Sequence, residues 1–413
     1  MATVVKKFGG TSVGDVQRIK NVAALVKDFL DKQPGTRLVV VASAMAGETN
    51  RLIALAKSCV PSPDPRELDA LLATGEETSI ALLAMALIEQ GVPAVSLTAE
   101  QVGISTDTRH NNAQITEIKS QRLEQVLSKG KVAVVAGFQG VDGDGNVTTL
   151  GRGGSDITAV AIAAELKADA CYIYTDVEGV FSTDPRICPR AQYLKEVSHE
   201  EMLEMASLGA KVLHPRSVYF AMRYEVPLVV LSTFNPGPGT WIIKEEKLME
   251  KPLVTGITYR MDEAKITVNK VPGGSKPLDL IFGRLAEHGI LVDMITQSGV
   301  SKDSYDLSFT VPDEVSGQAL EIAQQCVPEL EAEGAHLERD IAKISVVGVG
   351  MRYHTGVAAK MFSVLAEENI DVQMIGTSEI KISVAVPRKY GEVAVRALHE
   401  KFIEMRPEVS VEK

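Results

Sequence analysis

The stretch Gly151-Arg152-Gly153-Gly154-Ser155-Asp156 decides how this chain reads. An apolar run at 131–137 leads toward it as a buried strand, and helix formers at 158–166 lead away. Between run and turn, Asp142-Gly143-Asp144-Gly145-Asn146 has the composition of a hairpin. Strand, glycine turn and helix bring backbone N–H groups and a helix N-terminus together on an anion. Glycines let the backbone approach a ligand closely, and Arg152 adds a planar fork for a carboxylate or phosphate. Such a turn fits many α/β proteins, so the rest of the chain must choose among them.

A second glycine turn lies near the start. Residues 3–6 read as a strand, followed by Lys7-Phe8-Gly9-Gly10-Thr11-Ser12 and a helix over 16–30 with Asp15 as N-cap. The pattern suits a backbone-lined phosphate site with Lys7 beside it, and no Walker A sequence occurs. Residues 38–42 form a buried strand whose exit loop, Ser43 to Asn50, offers hydroxyls to a small polar ligand or a cap to the next helix at Asn50. A proline-rich excursion covers 59–65, and Ala73-Thr74-Gly75-Glu76-Glu77 opens a helix over 78–90. The acidic pair there either offsets the helix dipole or faces a ligand ammonium.

Asp142 and Asp144 do not make an EF-hand, because Val147 and Gly153 occupy the glycine and bidentate-glutamate slots. Residues 170–176 form the next strand and its exit. Tyr174 there suits stacking on a purine, while Asp184 and Arg186 suit ribose, metal or phosphate. Ser198 and Glu201 form a capping box for a helix over 200–207. Gly209-Ala210-Lys211 places another cation beside a glycine, and after a strand at 227–232 the turn at 235–240 closes the domain. Alternating strands and helices predict an α/β sandwich with a largely parallel sheet.

Composition narrows the partners. Over 413 residues the net charge is −11, which excludes a nucleic acid or anionic membrane on bulk electrostatics. Cys59, Cys171, Cys188 and Cys326 lie far apart, as reduced thiols of a cytoplasmic protein would. No signal peptide is read, and the longest apolar run, 80–88, is too short to span a bilayer.

Beyond about residue 263 the chain repeats itself. Ala264-Lys265-Ile266 returns as Ala342-Lys343-Ile344, and Ile290-Leu291-Val292-Asp293-Met294 as Ile370-Asp371-Val372-Gln373-Met374. Each copy reads strand, helix, strand, strand, helix, and paired small modules remote from the glycine turns suggest sensing.

Together these residues resemble the aspartate kinases of the amino-acid kinase family. The resemblance rests on seven motifs in the family's order. They are Lys7–Ser12, Ser43-Ala-Met-x-Gly-x-Thr49-Asn50, Thr74-Gly-Glu76, Gly151–Asp156, Tyr174-Thr-Asp-Val-x-Gly-Val180, Thr183-Asp-Pro-Arg186 and Gly209-Ala-Lys-Val-Leu-His-Pro215. It implies an α/β fold: an amino-acid kinase-like αβα sandwich over 1–245, then two ferredoxin-like βαββαβ ACT domains over 264–338 and 339–413. Residues 246–263 become a linker plus a strand near 253–258 that completes the second ACT domain.

The implied activity is an ATP-dependent phosphotransferase with a carboxyl acceptor, making 4-phospho-L-aspartate. Lys7, Asp156 and Lys211 would be catalytic, and Ser43, Thr49, Glu76, Arg152 and Ser155 would hold aspartate. Lys7, Phe8, Gly9, Gly10, Tyr174, Thr175, Asp176, Val180, Asp184, Arg186 and Lys211 would meet ATP, whose phosphates bring Mg²⁺ without an assigned protein ligand. Lysine, threonine or both would act through Asp293, Gln297, His354, Thr355, Gly356, Val357, Gln373, Met374, Ser378 and Glu379. Val271-Pro-Gly-Gly-Ser-Lys-Pro277 and Gln297-Ser298-Gly299 depart from the family pattern beside that pocket. Assembly would be a homodimer, or an α₂β₂ complex with a short regulatory chain starting near Met249. Two competitors are a sensor with a degenerate kinase fold and an acetylglutamate kinase. The intact charged residues disfavour the first, the ACT tandem and Thr74-Gly-Glu76 the second.

Overall fold

The computed structural model describes residues 2–210, 212–247, 252–299 and 304–405, and Lys211 and Met249 lie outside them. The chain forms two compact units. The first holds described residues up to 180, 193–207 and 212–247; the second holds 181–192, 208–210 and the described chain from 252 onward.

The strands of the first unit are β1 (Thr3–Phe8), β2 (Arg37–Ala42), β3 (Ala94–Leu97), β4 (Ile104–Thr106), β5 (Ile115–Ile118), β6 (Val132–Ala136), β7 (Gln139–Val141), β8 (Val147–Thr149), β9 (Ala170–Thr175), β10 (Glu196–Ser198), β11 (Leu228–Ser232) and β12 (Thr240–Ile243). Eight of them form one sheet in the order β10-β12-β11-β9-β1-β2-β6-β3, parallel except where β11 meets β12. Covered on both faces, the central strands are apolar throughout rather than alternating. On one face Phe8, Leu38 and Val40 pack against Ile19, Val22 and Val26 of helix Val16–Lys32 and Ile80, Leu83 and Leu87 of helix Pro65–Glu89. Helix Gly154–Glu165, buried along most of its length, packs against β1, β2 and β9. Strands β5-β4-β7-β8 make a small second sheet whose last hairpin, tied by Asp142 to the Asn146 amide at 2.8 Å, delivers the chain to Gly151.

Three local expectations change. The long helix begins at Pro65 rather than near 78: Asp64 caps it, and the last proline of the excursion takes the first turn, where no N–H is missed. Thr74–Glu77 is therefore mid-helix, and dipole compensation is not the role of Glu76. By length and composition alone this helix is apolar enough to cross a membrane, but half of its apolar window is buried inside the fold and its core face carries Asp69 and Glu76. At the exit of β2, Gly47 rather than Asn50 occupies the cap, and the helix starts at Glu48.

The second unit contains β13 (Gly256–Pro272), β14 (Ile295–Gly299), β15 (Ser304–Pro312), β16 (Gly334–Val347), β17 (Met374–Thr377) and β18 (Lys381–Pro387). They form one antiparallel sheet, β14-β15-β13-β16-β18-β17. Two strands run through both repeats. The start of β13 pairs Gly256–Arg260 with Lys343–Val347, and its later part pairs with β15 and the start of β16. Each repeat has its own core: Ile266, Phe309 and Ile322 in one, Ile257, Ile344, Met361 and Leu398 in the other.

Residues 181–192 pack into this unit through a buried polar cluster. Ser182 Oγ is 2.8 Å from His399 Nε2, and His399 Nδ1 is 2.9 Å from Glu404, which pairs with Arg190 at 2.7 Å. A carboxylate can only accept, so Nδ1 carries the proton and Nε2 accepts from Ser182. Donor atoms of Cys188, His399 and Glu404 lie within 4.8 Å of one another, close enough for one cation, but Arg190 already supplies positive charge there.

Candidate active site

Two glycine turns meet at the ends of β1 and β8. Lys7, on the face of β1 toward helix Gly154–Glu165, forms an ion pair with Asp156 at 2.6 Å. Both side chains are only 12% exposed, so the pair is shielded from solvent screening. A methyl group on Gly9 would lie 3.4 Å from Lys7 Nζ, and one on Gly10 would be 2.9 Å from the Ala44 carbonyl. Gly153 has φ of 70°, and a Cβ there would overlap the His214 side chain. The turn thus seats against the loop that follows Lys211. Burial and the neighbouring Arg216 lower the His214 pKa, holding its imidazole neutral near pH 7. Gly154, Ser155 and Asp156 occupy the first helical turn, where the helix dipole favours negative charge, although the Gly154 N–H is taken by the Gly151 carbonyl at 3.0 Å. Arg152 is exposed at the rim.

Glu76 is 3% exposed. One carboxylate oxygen accepts the Ala44 N–H at 3.0 Å; the other has no hydrogen-bond partner among the described residues. Burial pushes its pKa up to about 7, against the pull of that N–H. A Cβ on Gly75 would sit 2.9 Å from Ala44 Cβ, so the helix lies hard against the Ser43–Thr49 loop. Ser43 and Thr49 are half-buried in that loop, and the Ser43 N–H donates to the Phe8 carbonyl at 3.1 Å.

Other expected residues fall elsewhere. The Tyr174 ring is 8% exposed, stacked on Phe8 at 4.5 Å inside the core, which rules out a purine face. Phe8 and Val180 are also buried, so these three offer a ligand backbone only. Thr175 and Asp176, at the open end of β9, hydrogen bond to each other at 3.1 Å. Asp184 and Arg186 belong to the second unit, paired to each other at 2.7 Å, with Tyr259 donating to Asp184.

Among the effector candidates, Val357 and Met374 point into apolar cores and are not ligand side chains. Asp293 pairs with buried Lys343, Gln373 donates to Glu338 at 2.8 Å, and Gln297 lies on edge strand β14. His354 donates to the Gly350 carbonyl, Thr355 is exposed, and Gly356 caps the helix at φ of 91°. The Ser378 N–H donates to Lys381, and Glu379 pairs with Arg352 at 3.3 Å.

Two buried charges give no sign of themselves in the sequence motifs. Asp69 holds the approach to Gly151 through Thr149. Lys6, beside Lys7 but on the opposite face, lies 3.4 Å from the Phe29 ring centroid and 3.2 Å from the Tyr174 hydroxyl. Burial pulls its pKa down to about 7, partly opposed by Asp28. Strand alternation alone signals that one of two adjacent lysines must face inward.

Known proteins agree with this architecture. Residues 2–232 match the Amino acid kinase family and 344–402 the ACT domain. The chain is 55% identical over 403 residues to an aspartate kinase of Stutzerimonas stutzeri, covering 97% of each. It is 54% identical over 404 residues to an aspartokinase of Pseudomonas aeruginosa, covering 97% of this chain and 98% of that one. The crystal structure of Escherichia coli aspartokinase III with aspartate and ADP superposes with a TM-score of 0.81 at 29% identity, over 97% of this chain and 99% of that one. The same enzyme with lysine and aspartate gives 0.75 at 29% identity over the same shares. With an amino-acid kinase fold followed by ACT domains, and such identity over nearly its whole length, the chain belongs to the aspartate kinases of the amino acid kinase family.

Proposed function

We propose that the enzyme transfers the γ-phosphoryl group of ATP to the side-chain carboxylate of L-aspartate, giving 4-phospho-L-aspartate and ADP. That carboxylate has a solution pKa of about 3.9, so the nucleophile is already ionised and no general base is needed. The barrier is the approach of two anions, which positive charge and in-line placement must lower. Lys7 and Lys211 supply charge, Asp156 orients Lys7, and the amides of Gly10 and Gly153 add fixed donors, those of Gly9 and Gly154 being taken by the Tyr174 and Gly151 carbonyls. Asp156, beside Lys7, is the carboxylate that would hold a Mg²⁺ ion arriving with the nucleotide, and such an ion would supply charge against its phosphates. Arg152 takes the aspartate α-carboxylate and Glu76 its α-ammonium, with Ser43, Thr49 and Ser155 orienting the rest. Backbone of Phe8, Tyr174 and Val180, with Thr175 and Asp176, serves the ATP side.

The observation that carries this reading is the buried Glu76 oxygen without a partner among the described residues, since a desolvated carboxylate calls for a cation. Glu76→Gln in an ADP-release assay should raise KM for aspartate far more than KM for ATP; equal effects reject the assignment. The product fits the opening step of lysine, threonine and methionine biosynthesis in the cytoplasm. Lysine, threonine or both acting on the ACT repeats fits that place, and lysine is bound in the E. coli aspartokinase III structure. The exposed edge strands β14 and β17 favour pairing of repeats, as a homodimer or an α₂β₂ complex with chains starting near Met249.

A further inference from the structure

Helix Pro65–Glu89 buries a second carboxylate that the chemistry above does not use. Asp69 is 0% exposed. Its oxygens accept from His110 Nδ1 at 2.8 Å, the Asn111 N–H at 3.0 Å, the Thr149 N–H at 3.0 Å and the Thr149 hydroxyl at 2.5 Å. Every lone-pair direction is thus used, so Asp69 has no room for a ligand. What it grips is the frame of the catalytic turn. Thr149 ends β8, two residues before Gly151, and Asn111 stands in the left-handed region at φ of 64°. A Cβ on Gly151 would come within 2.9 Å of the Asn111 carbonyl, so the turn rests on the loop that Asp69 holds. Arg216 closes the frame from the other side, donating to Asn112 Oδ1 at 2.9 Å and to the Leu150 carbonyl at 2.6 Å.

Asp69 and Glu76 occupy the buried face of one helix, two turns apart, which is about 10 Å along the axis. The middle of this rigid element presents Glu76; its N-terminal end fixes the strand that delivers Arg152. We infer that Asp69 is a positioning residue for amino-acid recognition, fixing the separation between the Glu76 carboxylate and the Arg152 guanidinium so that the pair accepts an α-amino acid. The inference rests on the assignment of Glu76 and Arg152 to the two ends of the aspartate backbone. A loosened frame displaces Arg152 first, because from Gly154 onward the chain is held in its helix against β1, β2 and β9 and Lys7 stays on β1, so aspartate binding suffers more than ATP binding.

The test uses the full-length enzyme with both substrates varied. Asp69→Asn turns one acceptor into a donor facing N–H groups already present. It should raise KM for aspartate about tenfold while KM for ATP stays within about twofold. Thr149→Val removes one hydroxyl bond and keeps the backbone N–H, so it folds where Asp69→Asn does not, and should give a smaller shift of the same kind. Equal rises in both KM values, or a lower Tm with unchanged KM values in either variant, overturn the inference. Arg152→Ala separates the two levels. If it raises KM for aspartate and the Asp69 and Thr149 variants do not, positioning alone is wrong. If Arg152→Ala leaves that KM unchanged, the substrate assignment fails and takes the inference with it.

Discussion

Two buried polar clusters differ in one respect. In the first unit Glu76 keeps an oxygen without a hydrogen-bond partner among the described residues, and Lys7 and Asp156 pair between glycine turns that pack closely on Ala44 and His214. In the second unit, buried Ser182 and His399 are partnered by each other and by Glu404, which exposed Arg190 pairs from outside. A buried polar group left incomplete costs stability and is kept where a ligand completes it; a complete one holds chain segments together. Substitution in the open cluster should therefore cost function and little stability, and in the closed cluster the reverse.

The largest expected effect is on catalysis. Lys7→Ala should lower kcat by about 10²-fold or more, with KM for aspartate little changed. A change confined to KM would move Lys7 to ground-state binding. Next, Glu76→Gln should raise KM for aspartate by about 10-fold to 10²-fold, because the charge-assisted hydrogen bond to the α-ammonium becomes a neutral one. The same variant tests stability. The unfolded Glu76 loses its proton near 4.5 and the folded one near 7. Between these values the folded state holds more protons, so stability falls as pH rises. Glu76→Gln should therefore raise Tm at pH 8 and change it little at pH 4; a lower Tm at pH 8 would erase the contrast between the clusters.

His399→Ala should destabilise by about 2 kcal/mol through the lost hydrogen bonds to Ser182 and Glu404, read by denaturant unfolding, with KM for aspartate retained. Retained stability would show the closed cluster to be dispensable. The smallest effect concerns inhibition. Glu379→Ala, which takes one carboxylate away from Arg352 in the second repeat, should weaken inhibition by lysine or threonine severalfold with kcat intact. Full inhibition in this variant would take Glu379 out of the effector pocket.

What the sequence makes legible is local. Glycine turns after apolar strands announce Lys7, Gly9, Gly153 and Asp156 because strand, turn and helix signals lie side by side. The repeat is equally plain. The start of helix Pro65–Glu89 is obscured because Gly75 in its middle imitates a helix boundary; that glycine serves a close approach to Ala44. Tyr174 resembles a nucleotide platform because an aromatic near a strand end does not reveal which face of the sheet it takes. Asp69 and His399 are invisible, since their partners Thr149 and Ser182 stand far away in sequence. Lone polar residues in helices carry no signal of what they will meet.

The long strands β13 and β16 set an order of events on the ribosome. Gly256 emerges early, but its partner Val347 arrives only after the whole first repeat has been made. At roughly 5–20 residues per second, that edge waits unpaired for several seconds. The first repeat waits as well, for the start of β16 at Gly334, and Ser182 waits longer still for His399. The kinase sheet can close long before its own 181–192 excursion finds a seat. A newborn chain therefore passes through a stage with a formed β1–β9 core and a loose 181–192 segment. Any fragment cut between the repeats inherits that incompleteness permanently.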